Sequence, residues 1–298
     1  MTLDQGEPRT GPDGPWACAL DRDVVQASGP DASTFLQGQL SQDVEALQVG
    51  DAAFSFLLQP QGKVDALLRV TRTADEAFVL DTDAGWGEAV LSRLARFKLR
   101  VRCDLEPLDW SCVAVRGEAS TALPPPPGGT WRVLPETAGI PGFDLLGHGL
   151  VMPPGVTGIG PEAYEALRIE AGVPRMGSEL DSSTIPASTG MVERSVSFTK
   201  GCYTGQELVA RIDSRGGNVP RRLRGVVATA GGVPPLGASV VVAGREVGTL
   251  TSVAESSRFG LAVALAYVRR DVEAPVEAVL RWDGGETVAR VEVLPLAG

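Results

Sequence analysis

The amino-acid sequence predicts an α+β protein that ends in a separate β-domain, and three observations lead there. After Leu223, six short β-branched segments (225–230, 239–243, 246–253, 260–268, 276–282 and 287–293) are divided by Gly or Pro turns. That spacing reads as a small antiparallel barrel or sandwich. Between residues 53 and 115, strand patterns alternate with one helical pattern. Two further helices are read on either side, one from 31 and one from 161.

Length and composition bound the answer. At 298 residues the chain is long enough for two or three domains with real cores. A formal charge of −10 argues against general nucleic-acid binding, which needs clustered Lys and Arg on phosphates. Cys18, Cys103, Cys112 and Cys202 form no C-x-x-C pair and no metal-ligand spacing, so no metal site is expected and a reducing cytoplasm fits. The first twenty residues lack the basic start and apolar core of a signal peptide, and no apolar run approaches the ~20 residues that span a bilayer. A cytoplasmic protein is therefore expected, with neither membrane nor direct nucleic-acid partners.

In chain order, residues 1–15 read as a disordered lead rich in Gly, Pro and acid. Asp31 is a plausible N-cap, and Phe35, Leu36, Leu40, Val44 and Leu47 recur at helical spacing. Phe54, Phe56 and Leu58, then Val64 to Val70, read as strands joined at Gln59-Pro60-Gln61-Gly62. A third strand covers 77–80, Ala89, Val90, Leu94 and Phe97 form the inward face of a helix, and 99–105 and 110–115 return to strand. Gly62-Lys63 is not a P-loop, because Leu57 and Val64 stand where that motif needs Gly and Ser or Thr. Four consecutive prolines make 123–129 an irregular connector. His148, the only histidine, reads as a turn or strand-end residue between two glycines. Pro161 opens a helix at a favourable first-turn position, and Glu170 falls at its end, where a helix dipole disfavours a carboxylate.

The stretch around which the rest is read is Lys200-Gly201-Cys202-Tyr203-Thr204-Gly205-Gln206-Glu207. It sets a cation, a thiol, a phenol, an amide and a carboxylate around two glycines, with no hydrophobic period to account for them. A free cysteine is usually a small buried hydrophobe. Here Lys200, one of three lysines in the chain, lies two residues away, and a helix reads from Gln206. A nearby ammonium group or helix N-terminus lowers a thiol pKa. From Arg194 to Arg224 seven bases face two acids, a local +5 that leaves −15 on the remaining residues. Such a patch suits an anionic ligand or an acidic protein partner.

The run K-G-C-Y-x-G-Q-E resembles the signature of the YgfZ family, proteins related to the T-protein (aminomethyltransferase) of the glycine cleavage system. Arg168 to Pro174 is similar to the family's RIEAGIP segment, and Ser195 to Thr199 to the run before the signature. Arg221 to Gly225 and Gly244 to Ser252 are similar to the start of its C-terminal barrel. The resemblance covers the chain from about Ala27 onward. It implies a T-protein-like, folate-binding α+β fold over 16–222, with an inserted ferredoxin-like subdomain at about 50–115, and a C-terminal antiparallel β-barrel over 223–298.

What the resemblance implies about function is a tetrahydrofolate-binding factor that supports assembly or repair of iron–sulfur proteins, with an indirect effect on tRNA modification. Its partners would be folate and iron–sulfur enzymes or assembly proteins. Cys202, Lys200 and Asp65 are the residues expected to carry chemistry. Asp65 corresponds to the strand where T-proteins hold a catalytic carboxylate, although their two adjacent aspartates are Asp65-Ala66 here. Glu170 corresponds to the glutamate that binds the pterin ring, where two carboxylate oxygens match a ring N–H beside an amino group. Arg168, Tyr203, Gln206 and Glu207 complete the expected cofactor-binding set, with Gln206 and Glu207 orienting the loop. Ser188 stands where the family has a glutamate. The alternative is an aminomethyltransferase that moves a one-carbon unit from a lipoyl-bound aminomethyl group to tetrahydrofolate. T-proteins share the RLEAG segment but lack the K-G-C-Y-x-G-Q-E run.

Overall fold

The computed structural model describes residues 14–137, 139–229 and 232–296; the lead expected at 1–15 lies almost wholly outside them. The chain runs β1 (Trp16–Leu20), β2 (Arg22–Ser28), α1 (Ala32–Gln39), β3 (Ala52–Leu58), β4 (Val64–Ala74), β5 (Ala77–Asp83), α2 (Gly87–Phe97), β6 (Asp104–Leu108) and β7 (Ser111–Arg116). It continues through β8 (Thr130–Val133), β9 (Gly142–Gly147), β10 (Thr157–Gly158), α3 (Pro161–Ala171), a single turn α4 (Val192–Ser195) and α5 (Gln206–Ser214). The last six strands are β11 (Arg221–Ala228), β12 (Ser239–Val242), β13 (Arg245–Ser256), β14 (Leu261–Arg269), β15 (Val276–Trp282) and β16 (Gly285–Glu292).

Two five-stranded sheets and one closed barrel result. The first sheet has the order β3-β4-β5-β2-β6 and is antiparallel throughout. Helices α1 and α2 cover one of its faces, where Phe35, Leu36, Val90 and Leu94 join Phe56, Val70, Phe78 and Leu80 in one core. The second sheet, β10-β1-β7-β9-β8, lies against the opposite face through Val24, Val79, Cys112, Val133 and Leu146. The α+β element read at about 50–115 thus recruits β2 from upstream, while β7 pairs with β1 and β9 in the second sheet.

The barrel closes in the order β11-β14-β13-β12-β15-β16, which resolves the choice between barrel and sandwich. Its alternating residues, Val226, Val240, Ala264, Ala266, Leu280 and Val291 among them, fill the interior. Helix α3 docks the barrel onto the rest: Ala166 and Ile169 pack on Leu223, Val263 and Leu265. It begins with Pro161 and ends at Gly172 in the left-handed region (φ 72°), whose N–H reaches the Arg168 and Ile169 carbonyls.

Two elements depart from the periodicity. The pattern from Phe35 to Leu47 extends past the helix, since α1 ends at Gln39 and Leu40 turns extended to bridge Leu57. Ser41 then ties the chain to β3: its Oγ receives the Phe56 N–H at 2.8 Å and donates to the Ser195 carbonyl at 2.5 Å. Leu40, Val44 and Leu47 stay buried in the same core without being helical. The strand expected at 99–105 starts only at Asp104, because Asp31 holds the preceding chain. Asp31 occupies the N-cap position of α1 but makes no side-chain cap; its Oδ2 accepts the Arg102 backbone N–H at 2.9 Å. In α2, Val90 and Leu94 face the core while Ala89 and Phe97 are exposed. Its first N–H, at Gly87, is capped from β2 by Asp23 Oδ2 at 2.7 Å.

Candidate functional site

Three segments distant in sequence meet at the end of α1: the 59–62 turn, the chain after Gln39, and the loop from Val196 to Gly205. Lys200 is the junction. Its Nζ donates to the carbonyls of Gln37, Leu40 and Gln42 at 2.7, 2.8 and 2.8 Å. Those acceptors close the C-terminal end of α1, where a cation is favoured. All three ammonium N–H groups are thereby used, so Lys200 anchors the loop to α1 instead of sitting as a free charge beside Cys202. Burial lowers its pKa to about 8, with Asp43 and Glu45 pulling the other way.

The two glycines of the run have different reasons. Gly205 adopts φ +83°, and a Cβ there would stand 2.6 Å from the Gln59 carbonyl and 2.9 Å from Leu58 Cβ. Its partner across the contact is Gly62 (φ +76°), where a Cβ would meet Leu208 Cβ at 2.6 Å. The signature loop and the 59–62 turn therefore interlock glycine against glycine. Gly201 has no atom within 4 Å of its would-be Cβ and faces open space. Beside it Cys202 is exposed, whereas Cys18, Cys103 and Cys112 are buried. Thr204 N–H bonds the Gly38 carbonyl at 3.1 Å, and Gln206 Oε1 accepts the Tyr203 N–H at 3.3 Å. Tyr203 packs in the main core under the Lys200 ammonium, 5.2 Å from the ring centroid, and burial raises its hydroxyl to about 12. The loop is thus fixed on both sides of an open Gly201-Cys202 pair. Glu207 follows in the first turn of α5.

The remaining predicted residues fall elsewhere. Asp65 Oδ2 is held by Arg93 Nε at 3.0 Å, and Arg93 also reaches Gln39 and the Leu58 carbonyl, beside the Gly205 contact. Arg168 is completely buried, and its five N–H groups go to Glu165 (twice), the Val173 carbonyl, Glu179 and Ser252. No donor is left for a ligand: Arg168 ties α3 to the 173–179 segment and to β13. Glu170 is 2 % exposed and turned toward the barrel, where Oε1 accepts from Ser256 Oγ at 2.5 Å. Burial raises its pKa, against Ser256 and Arg258. Its Oε2 makes no hydrogen bond among the described residues. Ser188 Oγ donates to the Ile185 carbonyl at 2.7 Å in a short 3-10 turn. His148 follows β9 at the surface, Nδ1 2.9 Å from the Asp109 carbonyl.

A second feature was not legible in any motif. A cavity of about 790 Å³ opens where the two sheets, α3 and the barrel converge, lined by Cys18 to Arg22, Asp83, Glu136, Pro161 to Glu165, Arg175, Met176 and Val253 to Glu255. Behind it lies a closed ring of buried polar groups that joins the sheets. Arg22 pairs with Asp81, Asp81 with Arg69, Arg69 with Asp144, and Asp144 with Arg116, at 2.6 to 2.9 Å. Arg116 reaches the Tyr164 hydroxyl at 3.4 Å, Tyr164 donates to Glu136 at 3.2 Å, and Glu136 returns to Arg22 at 3.5 Å. Burial pushes the Asp144 carboxyl up, but Arg116 and Arg69 outweigh it and hold it below its ordinary range. Arg22, Glu136 and Tyr164 are at once members of this ring and floor of the cavity. Among the described residues no group of three His, Cys, Asp or Glu is placed to hold a metal ion, and no helix is long and apolar enough to cross a membrane.

Comparison with known proteins agrees with this architecture. Residues 221–296 match the family model of the glycine cleavage T-protein C-terminal barrel domain. The glycine cleavage system aminomethyltransferase T of Bartonella henselae superposes with a TM-score of 0.80 over 95% of this chain and 86% of its own, at 22% identity. An aminomethyltransferase of Streptomyces avermitilis is 28% identical over 91% of this chain and 83% of that protein. The tRNA-modifying protein YgfZ of Klebsiella pneumoniae is 28% identical over 91% and 90%. A mitochondrial iron–sulfur cluster assembly factor IBA57 homolog of Neurospora crassa is 29% identical over 65% and 49%. With its T-protein-like fold and its closed C-terminal barrel, the chain is similar over most of its length to both YgfZ and T-protein relatives.

Proposed function

We propose that this protein is a tetrahydrofolate-binding factor that supports assembly or repair of iron–sulfur proteins and, through them, tRNA modification. The observation that carries the reading is the exposure of Cys202 on a loop anchored at Lys200 and Gly205. A thiolate acts on a partner only when it is both accessible and held in place, and this is the one exposed thiol of the four. One thiolate does not hold a cluster, whose usual complement is four, and the other cysteines are buried. Cys202 therefore contacts a cluster or a sulfur donor carried by another protein. The names of the Klebsiella YgfZ and Neurospora IBA57 relatives support that direction.

Folate would occupy the 790 Å³ cavity, whose volume lies in the range that small ligands fill. Leu20, Ala163, Tyr164, Met176 and Val253 offer apolar walls for a flat ring. Glu136 on the floor accepts from Tyr164 on Oε2 and meets Arg22 on Oε1, which leaves a second lone pair on each oxygen for the paired N–H groups of a pterin edge. Glu170, the carboxylate expected from the sequence, does not line this cavity and faces Ser256 of the barrel instead. When bound, folate supplies a carrier for one-carbon units. The chain's part is to bind it, shield it from water and hold it at a fixed place relative to the Cys202 loop.

The test is complementation of a deletion strain with Cys202→Ala. The reading predicts loss of iron–sulfur enzyme activity with folded protein at wild-type abundance. Full activity from that variant would remove the role assigned to the loop.

A further inference from the structure

The cavity carries an unbalanced charge. Six carboxylates and two arginines line it. Both arginines already carry carboxylate partners: Arg22 has Asp81, Asp83 and Glu136, and the half-buried Arg175 has Glu165 at 2.7 Å. Three of the acids, Asp21, Glu162 and Glu255, are exposed, and their side chains make no hydrogen bond or ion pair among the described residues. They come from three parts of the fold: the β1–β2 junction, the first turn of α3, and β13. An anion approaching the cavity therefore meets unpaired negative charge contributed by three separate elements. A neutral ring with N–H groups at its leading edge does not.

We propose that the cavity admits folate by its uncharged pterin end and selects by charge against long glutamate tails, making the monoglutamyl form of tetrahydrofolate its preferred ligand. This rests on the folate reading above and adds a specificity to it. Each further glutamyl residue adds one carboxylate to a ligand whose tail must leave past Asp21, Glu162 and Glu255. Like charges several ångströms apart in a wet opening repel weakly but additively, and salt screens them. The discrimination is therefore graded with tail length.

The experiment is calorimetric titration of the full chain with mono-, tri- and pentaglutamyl tetrahydrofolate, at low ionic strength and at about 1 M salt. It is repeated on the triple variant Asp21→Asn, Glu162→Gln, Glu255→Gln. At low salt the wild type should bind the monoglutamyl form most tightly and lose roughly two- to threefold per added glutamyl. The ladder should collapse at about 1 M salt, where the Debye length is about 3 Å, and should flatten in the triple variant. The three substitutions sit at exposed positions, and thermal unfolding checks that they leave the fold intact. Equal or tighter binding of the longer tails would overturn the inference while leaving the folate reading standing, and would direct attention to the arginines between 211 and 224. Absence of binding by every form would remove the folate reading and this inference together.

Discussion

The Lys200 ammonium nitrogen lies 2.8 Å from the carbonyl oxygen of Leu40, 160 residues earlier in the chain. With the Gln37 and Gln42 carbonyls it forms a three-point clasp between the signature loop and the end of α1. Hydrogen bonds to a charged group contribute about 1.5–3 kcal/mol each when buried. Lys200→Met should therefore free the loop and speed hydrogen exchange at Thr204 N–H by about tenfold or more. Amide exchange followed by NMR checks this; unchanged protection would mean that the clasp does not hold the loop.

The same lysine gives a pH dependence with a definite sign. Its pKa is lowered by burial to about 8, from an unfolded value near 10.5. Between those pH values the unfolded chain binds a proton that the folded chain has released, so the stability owed to this group rises with pH across that window. The difference in urea-unfolding free energy between wild type and Lys200→Met should widen from pH 7 to pH 10.

The two glycines flanking the exposed thiol should respond oppositely. Gly205→Ala meets both a left-handed φ and the Gln59 carbonyl, and should cost about 2 kcal/mol or more. Gly201→Ala meets nothing in the chain and should leave the thermal midpoint almost unchanged. A loss of iron–sulfur support in the stable Gly201→Ala protein would then report steric exclusion of whatever approaches Cys202.

Asp144 Oδ2 accepts from Arg69 and its Oδ1 is ion-paired with Arg116, each at 2.6 Å, with all three side chains buried. Asp144→Asn leaves buried Arg116 without its counter-charge and Arg69 with Asp81 alone, and should destabilise by about 3–5 kcal/mol. Chemical denaturation measures it. Because the ring joins the two sheets and floors the cavity, folate affinity should fall in the same variant.

Much of this was visible in the sequence wherever the cause is local. The barrel strands were legible to within a few residues because β-branched residues alternate between glycine turns. Helix α3 was equally legible, since Pro161 and Gly172 punctuate it. The end of α1 was not, because Leu40 to Leu47 remain apolar at helical spacing while Ser41 diverts the chain to β3. Lys200 was found, yet its partner could not be inferred from its neighbour Cys202, since a lysine's acceptors are set by tertiary contact. Nor could the cavity: Asp21, Asp83, Glu136, Glu162 and Glu255 share no period or motif and meet only when both sheets, α3 and the barrel have assembled.

The buried carboxyl of Glu170 offers a separate check on its role. Burial raises its pKa, so the folded chain retains a proton that the unfolded one loses above the ordinary carboxylate range, and this group's contribution falls as pH rises through that interval. Glu170→Gln keeps an oxygen to accept from Ser256 and removes the titration. Its thermal midpoint relative to wild type should therefore be higher at pH 8 than at pH 4.5.

Titration of the purified protein with monoglutamyl tetrahydrofolate, beside Glu136→Gln and Glu170→Gln, tests the central claim most directly. The account predicts saturable one-to-one binding by the wild type, weakened at least tenfold in Glu136→Gln and little changed in Glu170→Gln. Saturable binding lost only in Glu170→Gln would move the pterin to the barrel side of α3, and absence of binding by the wild type would contradict the folate-dependent function itself.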